Sequence, residues 1–290
     1  MEFGVHFAST VYPQPDRAVQ FCQKSEQVGF SFAVAVEHVV WPTDYASKYP
    51  YNATGKLPGD PSTLLPDPLV WMTHVAACTE HMRFMTGVLI LPQRNPVVLA
   101  KQLATMDYMS GGRMELGIGV GWLKEEFEAI GIPFERRGRR TDETIEAMRA
   151  LWAGDDASYD GEFVNFAGIS CNPKPAQESV PIIVGGHSEA AARRAGRLGN
   201  GFFPATGWDG DYKPLLAIIR EEADKAGRDP DEIQITTGID PEDPLNSALR
   251  LAEQGIDRVV VPSAPFRKDV AGSLERFAAE VIAPAKERLG

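Results

Sequence analysis

Short apolar runs alternate with longer amphipathic stretches along most of this chain, and the period of the pattern tells the two apart. Phe3, Val5 and Phe7 share one face of Glu2–Ala8, a strand pattern, whereas residues 15–28 repeat with helical spacing and close at Gly29. Phe32–Val36 predicts a second strand and Leu69–Thr79 the helix after it. Thr86–Leu91 is apolar but too short for a helix, and predicts the third strand. Asn95-Pro96 then starts a helix, since Asn accepts a free backbone N–H and Pro is preset for the first turn. That helix stops at Ser110-Gly111-Gly112, and Arg113–Ile118 is the fourth strand. Parallel strands joined by a crossover helix imply an α/β protein.

The unit then repeats. Leu123, Phe127 and Ile130 fall at helical spacing up to Gly131, and Ile145, Met148 and Trp152 share the face of a further helix. Pro181–Val184 is a fifth strand followed by a helix over Ser188–Leu198. Gly201–Phe203, Ile233–Thr236 and Arg258–Val261 are the sixth to eighth strands, with helices over Tyr212–Ala226, Pro244–Gln254 and Val270–Arg288. Eight strand–helix pairs in 290 residues predict one TIM (β/α)8 barrel domain spanning residues 1–290. An open doubly wound sheet is the alternative, but no G-x-G-x-x-G follows the first strand. Two insertions, 41–68 after strand two and 155–175 after strand four, are expected near the barrel mouth. The first carries Tyr45, Tyr49, Tyr51 and six prolines, which reads as a lid over a fairly apolar substrate; the second holds a short hairpin near Phe163 and Phe166.

Composition narrows the partners. At 43% hydrophobic the chain can bury a full core, yet no apolar run nears the roughly 18 residues of a membrane span. The first strand begins beside Met1, so a cytoplasmic protein without a signal peptide is expected. A net charge of −11 argues against nucleic acid, and the arginines at 136, 137, 139 and 140 do not reverse it. Cys22, Cys78 and Cys171 lie far apart with no C-x-x-C, and are expected to be reduced thiols.

Barrel sites lie at the C-terminal ends of the strands, which turns the sequence into a map. His6 and Ala8 end strand one, Glu37 and His38 end strand two, and Thr86, Gly87 and Val88 belong to strand three. Gly119 and Val120 leave strand four, where Gly117, Gly119 and Gly121 alternate with larger residues and would let a ring-shaped ligand approach. Gly185, Gly186, His187 and Ser188 leave strand five. His74 and His81 fall on or after a helix and read as packing or surface residues. Zinc-holding barrel hydrolases present an H-x-H pair and several acids; neither is here, so no metal is expected. The Gly185–Ser188 turn points backbone N–H groups at one spot, as phosphate sites do, an ordinary tight turn being the alternative.

With these residues in order, the chain resembles the bacterial luciferase-like superfamily of TIM-barrel oxidoreductases, and most of all its branch that uses the deazaflavin coenzyme F420 in place of FMN. The resemblance runs through Glu37-His38 with Trp41-Pro42, Thr86-Gly87-Val88 with Asn95-Pro96 and Lys101, Gly112-Arg113, and Gly117–Trp122. It continues through Glu125–Glu128, Gly138-Arg139-Arg140, Pro173-Lys174-Pro175, Gly185-Gly186 and Gly199–Phe202. It implies a bulge with a non-proline cis peptide at Gly87-Val88 supporting the ring, with Gly119, Val120, His6 and Ala8 around it. Gly185, Gly186, His187 and Ser188 would hold the cofactor phosphate, and Glu37 and Trp41 would meet the substrate.

His38 would be the acid or base beside the reactive ring carbon, histidine being the side chain whose proton exchange falls nearest neutrality. The alternative is a histidine that only shapes the pocket. A deazaflavin carries hydride and reacts poorly with oxygen, so the implied activity is hydride transfer to or from a small organic substrate. The alternatives are an FMN-dependent monooxygenase fed by a flavin reductase, or a cofactor-binding protein without turnover. A homo-oligomer is compatible with either. The acidic tail of F420 could meet Arg139 and Arg140, unless these pair with Asp142, Glu143 and Glu146.

Overall fold

A computed structural model describes residues 1–204, 207 and 209–290. Its centre is a closed ring of eight parallel strands: β1 Glu2–His6, β2 Phe32–Ala35, β3 Arg83–Thr86, β4 Met114–Gly119, β5 Ile182–Gly185, β6 Gly201–Phe203, β7 Gln234–Gly238 and β8 Arg258–Pro262. Each pairs with the next, and β8 returns to β1, with Glu2 facing Arg258 and His6 facing Pro262. Helices fill the connections, giving a TIM barrel.

The predicted ends of several elements move, for identifiable reasons. Asn95 caps the helix Pro96–Ser110 by accepting from the Val97 and Val98 amides, and Gly111 closes it at φ 72°. The third strand begins at Arg83 and ends at Thr86, earlier than the apolar run suggests, because its first residue belongs to a charged plug. Arg258, fully buried, donates to Glu115 at 2.6 Å and lies 4.0 Å over the Phe32 ring, while Arg83 pairs with Glu2 and approaches Glu115 at 3.5 Å. These groups close the N-terminal end of the barrel. Above them Phe32, Val34, Met85, Ile183 and Val260 fill the interior. Gly4 on β1 leaves the space the Phe32 ring occupies: a Cβ there would sit 2.3 Å from it.

The predicted single helix over Val270–Arg288 is three segments, Val270–Phe277, a π-turn Ala278–Ile282 and Ala283–Leu289. Pro284 cannot donate to the turn before it, which accounts for the break. The second insertion contains the expected hairpin, Ala157–Asp160 against Asn165–Ile169. It packs on the helix Arg137–Ala153, where Glu143 accepts from the Phe163 amide and Glu146 from the Tyr159 hydroxyl, and none of its residues lines the cavity described below. No helix among the described residues is long and apolar enough to cross a membrane.

Candidate active site

A cavity of about 770 Å³ opens at the C-terminal ends of the strands, within the usual size range for small-molecule sites. Its floor is a bulge. Met85 faces Glu115 across the β3–β4 pair, but Leu89 faces Ile118, so one extra residue is inserted between them. The Gly87-Val88 peptide in this bulge is cis. The Gly87 amide donates to Ala35 O at 2.7 Å, and the Thr86 hydroxyl to Gly117 O at 2.6 Å. A Cβ on Gly87 would lie 2.2 Å from Val34 Cγ1, so only glycine fits there.

The alternating glycines of β4 serve this bulge. A Cβ on Gly117 would meet Thr86 O at 1.8 Å, and one on Gly119 would meet Val88 Cγ2 at 2.7 Å. A Cβ on Gly185 would meet Val88 Cγ1 at 2.5 Å. The glycines thus clear room for the bulge itself, Gly117 for the Thr86 carbonyl and Gly119 and Gly185 for the Val88 side chain, while Gly119, Gly121 and Gly185 also line the cavity beside Val88.

The cavity brings together Glu37, His38, Trp41, Gly87, Val88, Gly119, Val120, Gly185, Gly186, His187 and Ser188. Three predicted residues do not line it. Ala8 and Thr86 are fully buried, Ala8 in the first turn after β1 and Thr86 with its hydroxyl spent on Gly117; Phe7 faces the space instead of Ala8. His6 lies behind the bulge, stacked on Phe7 at 3.8 Å, and its buried Nε2 has no hydrogen-bond partner among the described residues. Burial pushes its pKa down to about 4, against a smaller opposing effect of the Gly87 backbone. His6 is thus a neutral imidazole at physiological pH, unsuited to hold a proton.

His38 is held differently. Its Nδ1 lies 3.3 Å from Glu126 Oε2, its side chain is 13% exposed, and its ring meets Trp122 edge-on at 6.0 Å. A carboxylate acceptor at Nδ1 favours the tautomer with the proton on that nitrogen and leaves Nε2 with a lone pair, and the residue lines the cavity. Glu126 also accepts from the amides of Val39 at 2.6 Å and Val40 at 3.3 Å and from Gln93 at 3.1 Å. Burial raises its pKa, but the hydrogen bond and charge of His38 with those other donors outweigh it, and the carboxyl is held below its ordinary range. Glu37, in contrast, is a clamp. It pairs with Arg94 and accepts from the Ile90 amide at 2.6 Å, which ties strand two to the chain just past the bulge; burial raises its pKa despite both partners.

Opposite His38, the helix Glu189–Leu198 points its N-terminus into the cavity. Ser188 caps it by accepting from Ala191 N at 3.2 Å. The Gly186 amide is used by Phe203 O, but those of His187, Ser188, Glu189 and Ala190 have no acceptor among the described residues. Four adjacent open amides at the positive end of a helix form an anion cradle. Arg137 and Arg194 stand beside it: Arg194 pairs with Asp142 and donates to Gly138 O at 3.0 Å, and Arg137 donates to Gly121 O at 2.9 Å. Arg139 and Arg140 do not pair with Asp142, Glu143 or Glu146, the alternative to meeting an acidic cofactor tail. Arg139 pairs with Glu162, Arg140 donates to Pro133 O, and Asp142 is taken by Arg194 and Arg197.

The 41–68 insertion covers the cavity with Trp41, Tyr49, Pro50, Tyr51, Leu57 and Pro58 among its lining residues. Glu125 holds it down, accepting from Ala46 N at 2.7 Å and Ser47 N at 3.2 Å. Burial opposes ionisation of Glu125, but the Ser47 side chain and these amides dominate and hold its pKa at about 2. Because the folded value lies below the ordinary 4.5, this contribution is complete above about pH 4.5 and is lost as pH falls toward 2. The Ala46 and Ser47 amide resonances are therefore expected to shift and lose protection across that window, and Glu125→Gln to abolish the transition. An unchanged transition in the variant would refute the clamp.

Sequence reasoning missed Glu126 as the partner of His38, which lies 88 residues away in the chain. The available signal was the Glu125-Glu126 pair opening a helix just past strand four. His74 and His81 are exposed. No group of three or more His, Cys, Asp or Glu among the described residues could hold a metal ion.

Comparison with known proteins matches these features to a family. The family model described as luciferase-like monooxygenase matches residues 1–265. An uncharacterised Mycobacterium tuberculosis protein is 31% identical over 280 residues, covering 91% of this chain and 94% of its own. An F420-dependent glucose-6-phosphate dehydrogenase of Nocardia farcinica is 36% identical over 190 residues, covering 61% of this chain and 56% of its own. In structure, the coenzyme F420-dependent tetrahydromethanopterin reductase of Methanopyrus kandleri aligns with TM-score 0.77 at 19% identity, over 97% of this chain and 98% of that one. The monooxygenase RslO1 of Streptomyces bottropensis aligns with TM-score 0.73 at 22% identity, over 98% and 99%.

Proposed function

The chain belongs to the luciferase-like monooxygenase family, and we propose that within it this protein is an F420-dependent oxidoreductase acting on a small organic substrate. The observation that carries the reading is a histidine with one nitrogen fixed by a buried glutamate, set across one cavity from an anion cradle, with the cis bulge between them. The F420-dependent dehydrogenase relative supports the deazaflavin over FMN.

The residues present fit such a cofactor. The open amides of His187–Ala190 suit its phosphate, Arg137 and Arg194 supply positive charge beside it, and Val88 with Gly119 and Val120 offers an apolar ledge for a planar ring. When bound, the deazaflavin supplies a carbon that gives or takes hydride. The chain's own task is then proton management and exclusion of water. His38 gives a proton from Nε2 when the substrate oxygen gains one, and takes it back in the reverse direction. Glu126 stabilises the imidazolium and holds the ring's orientation. The 41–68 insertion keeps water away from the exchange.

Titration with F420 and with FMN tests the reading. F420 is expected to bind at least about tenfold more tightly, and tight FMN binding without a response to F420 would overturn it.

A further inference from the structure

The two ends of the cavity differ in charge. The arginines that line it, Arg137 and Arg194, gather at the cradle: Arg194 lies on the helix that the cradle begins, and it bonds to the Gly138 carbonyl next to Arg137. The rest of the lining includes Trp41, Tyr49, Tyr51, Leu57, Pro58 and Trp122 and adds no lysine or further arginine among the described residues, its one carboxylate being Glu37.

The rings there touch in sequence. His38 meets Trp122 at 6.0 Å, Trp122 meets Tyr49 at 5.3 Å, Tyr49 meets Tyr51 at 5.2 Å, and Tyr51 meets His187 at 5.5 Å, each edge to face. One aromatic wall thus runs from the proton-exchanging group to the cradle. Burial raises the pKa of both Tyr49 and Tyr51, so their hydroxyls stay protonated and add no charge. The nearby cations are committed elsewhere. Lys56 donates to Tyr45 O and lies 4.1 Å over the Tyr45 ring, and Arg94 is engaged by Glu37 and Asp67.

We infer that the substrate pocket beside His38 selects uncharged apolar molecules, of the class of aromatic or alicyclic ketones and their alcohols, and rejects phosphorylated sugars. A phosphate placed there would lose its water against rings and prolines with no fixed cation in return, while a ring-bearing ketone would stack on Trp122 with its oxygen toward His38. The dehydrogenase relative is named for a phosphorylated sugar; this chain departs from it in substrate class. The inference rests on the proposed reading in one respect, the assignment of the cradle end to the cofactor phosphate.

Calorimetric titration of the F420-loaded protein with acetophenone and with glucose 6-phosphate tests it. Acetophenone is expected to bind saturably and at least about tenfold more tightly than glucose 6-phosphate. Trp122→Ala should erase most of that preference and Trp122→Phe should keep it. Glucose 6-phosphate binding as tightly as acetophenone, no saturable acetophenone binding, or an unchanged preference in Trp122→Ala would each overturn the inference. The titrations are repeated on FMN-loaded protein. If F420 does not bind but the preference for acetophenone holds with FMN, the cofactor reading fails and the substrate inference stands.

Discussion

Alanine at position 38 is expected to lower kcat/KM for hydride transfer between F420 and a ketone by about 10²–10⁴, the usual contribution of a positioned acid–base group. The pocket should survive the change. Glu126 keeps its bonds from Val39, Val40 and Gln93, so the chain entering the lid stays anchored, and F420 affinity should move by no more than about threefold. Steady-state kinetics across pH, paired with an F420 titration, separates this from misfolding. Turnover within about threefold of wild type would remove His38 from the mechanism and leave it as a wall of the pocket.

Gly117→Ala should produce the largest loss of stability, about 3 kcal/mol, because the atom its Cβ would strike is backbone. The Thr86 carbonyl oxygen lies 1.8 Å from that position, and Thr86 is held on both sides, by its hydroxyl bond to Gly117 O and by the Met85–Glu115 pairing. Relief requires moving the bulge, so cofactor binding should fall along with stability. Gly154→Ala is the control. Its Cβ would meet nothing within 4 Å and its backbone is extended, so it should stay within about 0.5 kcal/mol of wild type. Urea denaturation midpoints measure both variants, and equal midpoints would mean that the bulge is not packed as described.

The contrast between these two positions shows what the chain reveals when read in one dimension. Local chemistry was legible. Asn95-Pro96 caps its helix, Gly111 ends it and Ser188 caps the helix after β5, all as their neighbours dictate. The cis peptide at Gly87-Val88 followed from the family resemblance and is present. Features that depend on distant partners were hidden. Gly117 looks like a ligand-facing glycine until β3 is laid beside it, and Glu126 has no assigned task until the turn after β2 brings His38 and two amides onto it. Arg83 falls outside the expected third strand because its place in the barrel depends on Glu2, Glu115 and Arg258, which arrive from three other strands. Glu37 lines the cavity as expected, yet its charge is consumed by Arg94, a partner that spacing could not name.

The identity of the cofactor bears the weight of the functional account, and equilibrium titration of the purified protein measures it directly. Quenching of tryptophan fluorescence by F420, by FMN and by a deazaflavin lacking the phosphate reports both the ring and the cradle. The account predicts saturable F420 binding, FMN weaker by at least about tenfold, and a similar loss when the phosphate is removed, since four amides then lose their anion. Tight binding of FMN with no response to F420, or equal binding of the phosphate-free ring, would contradict it.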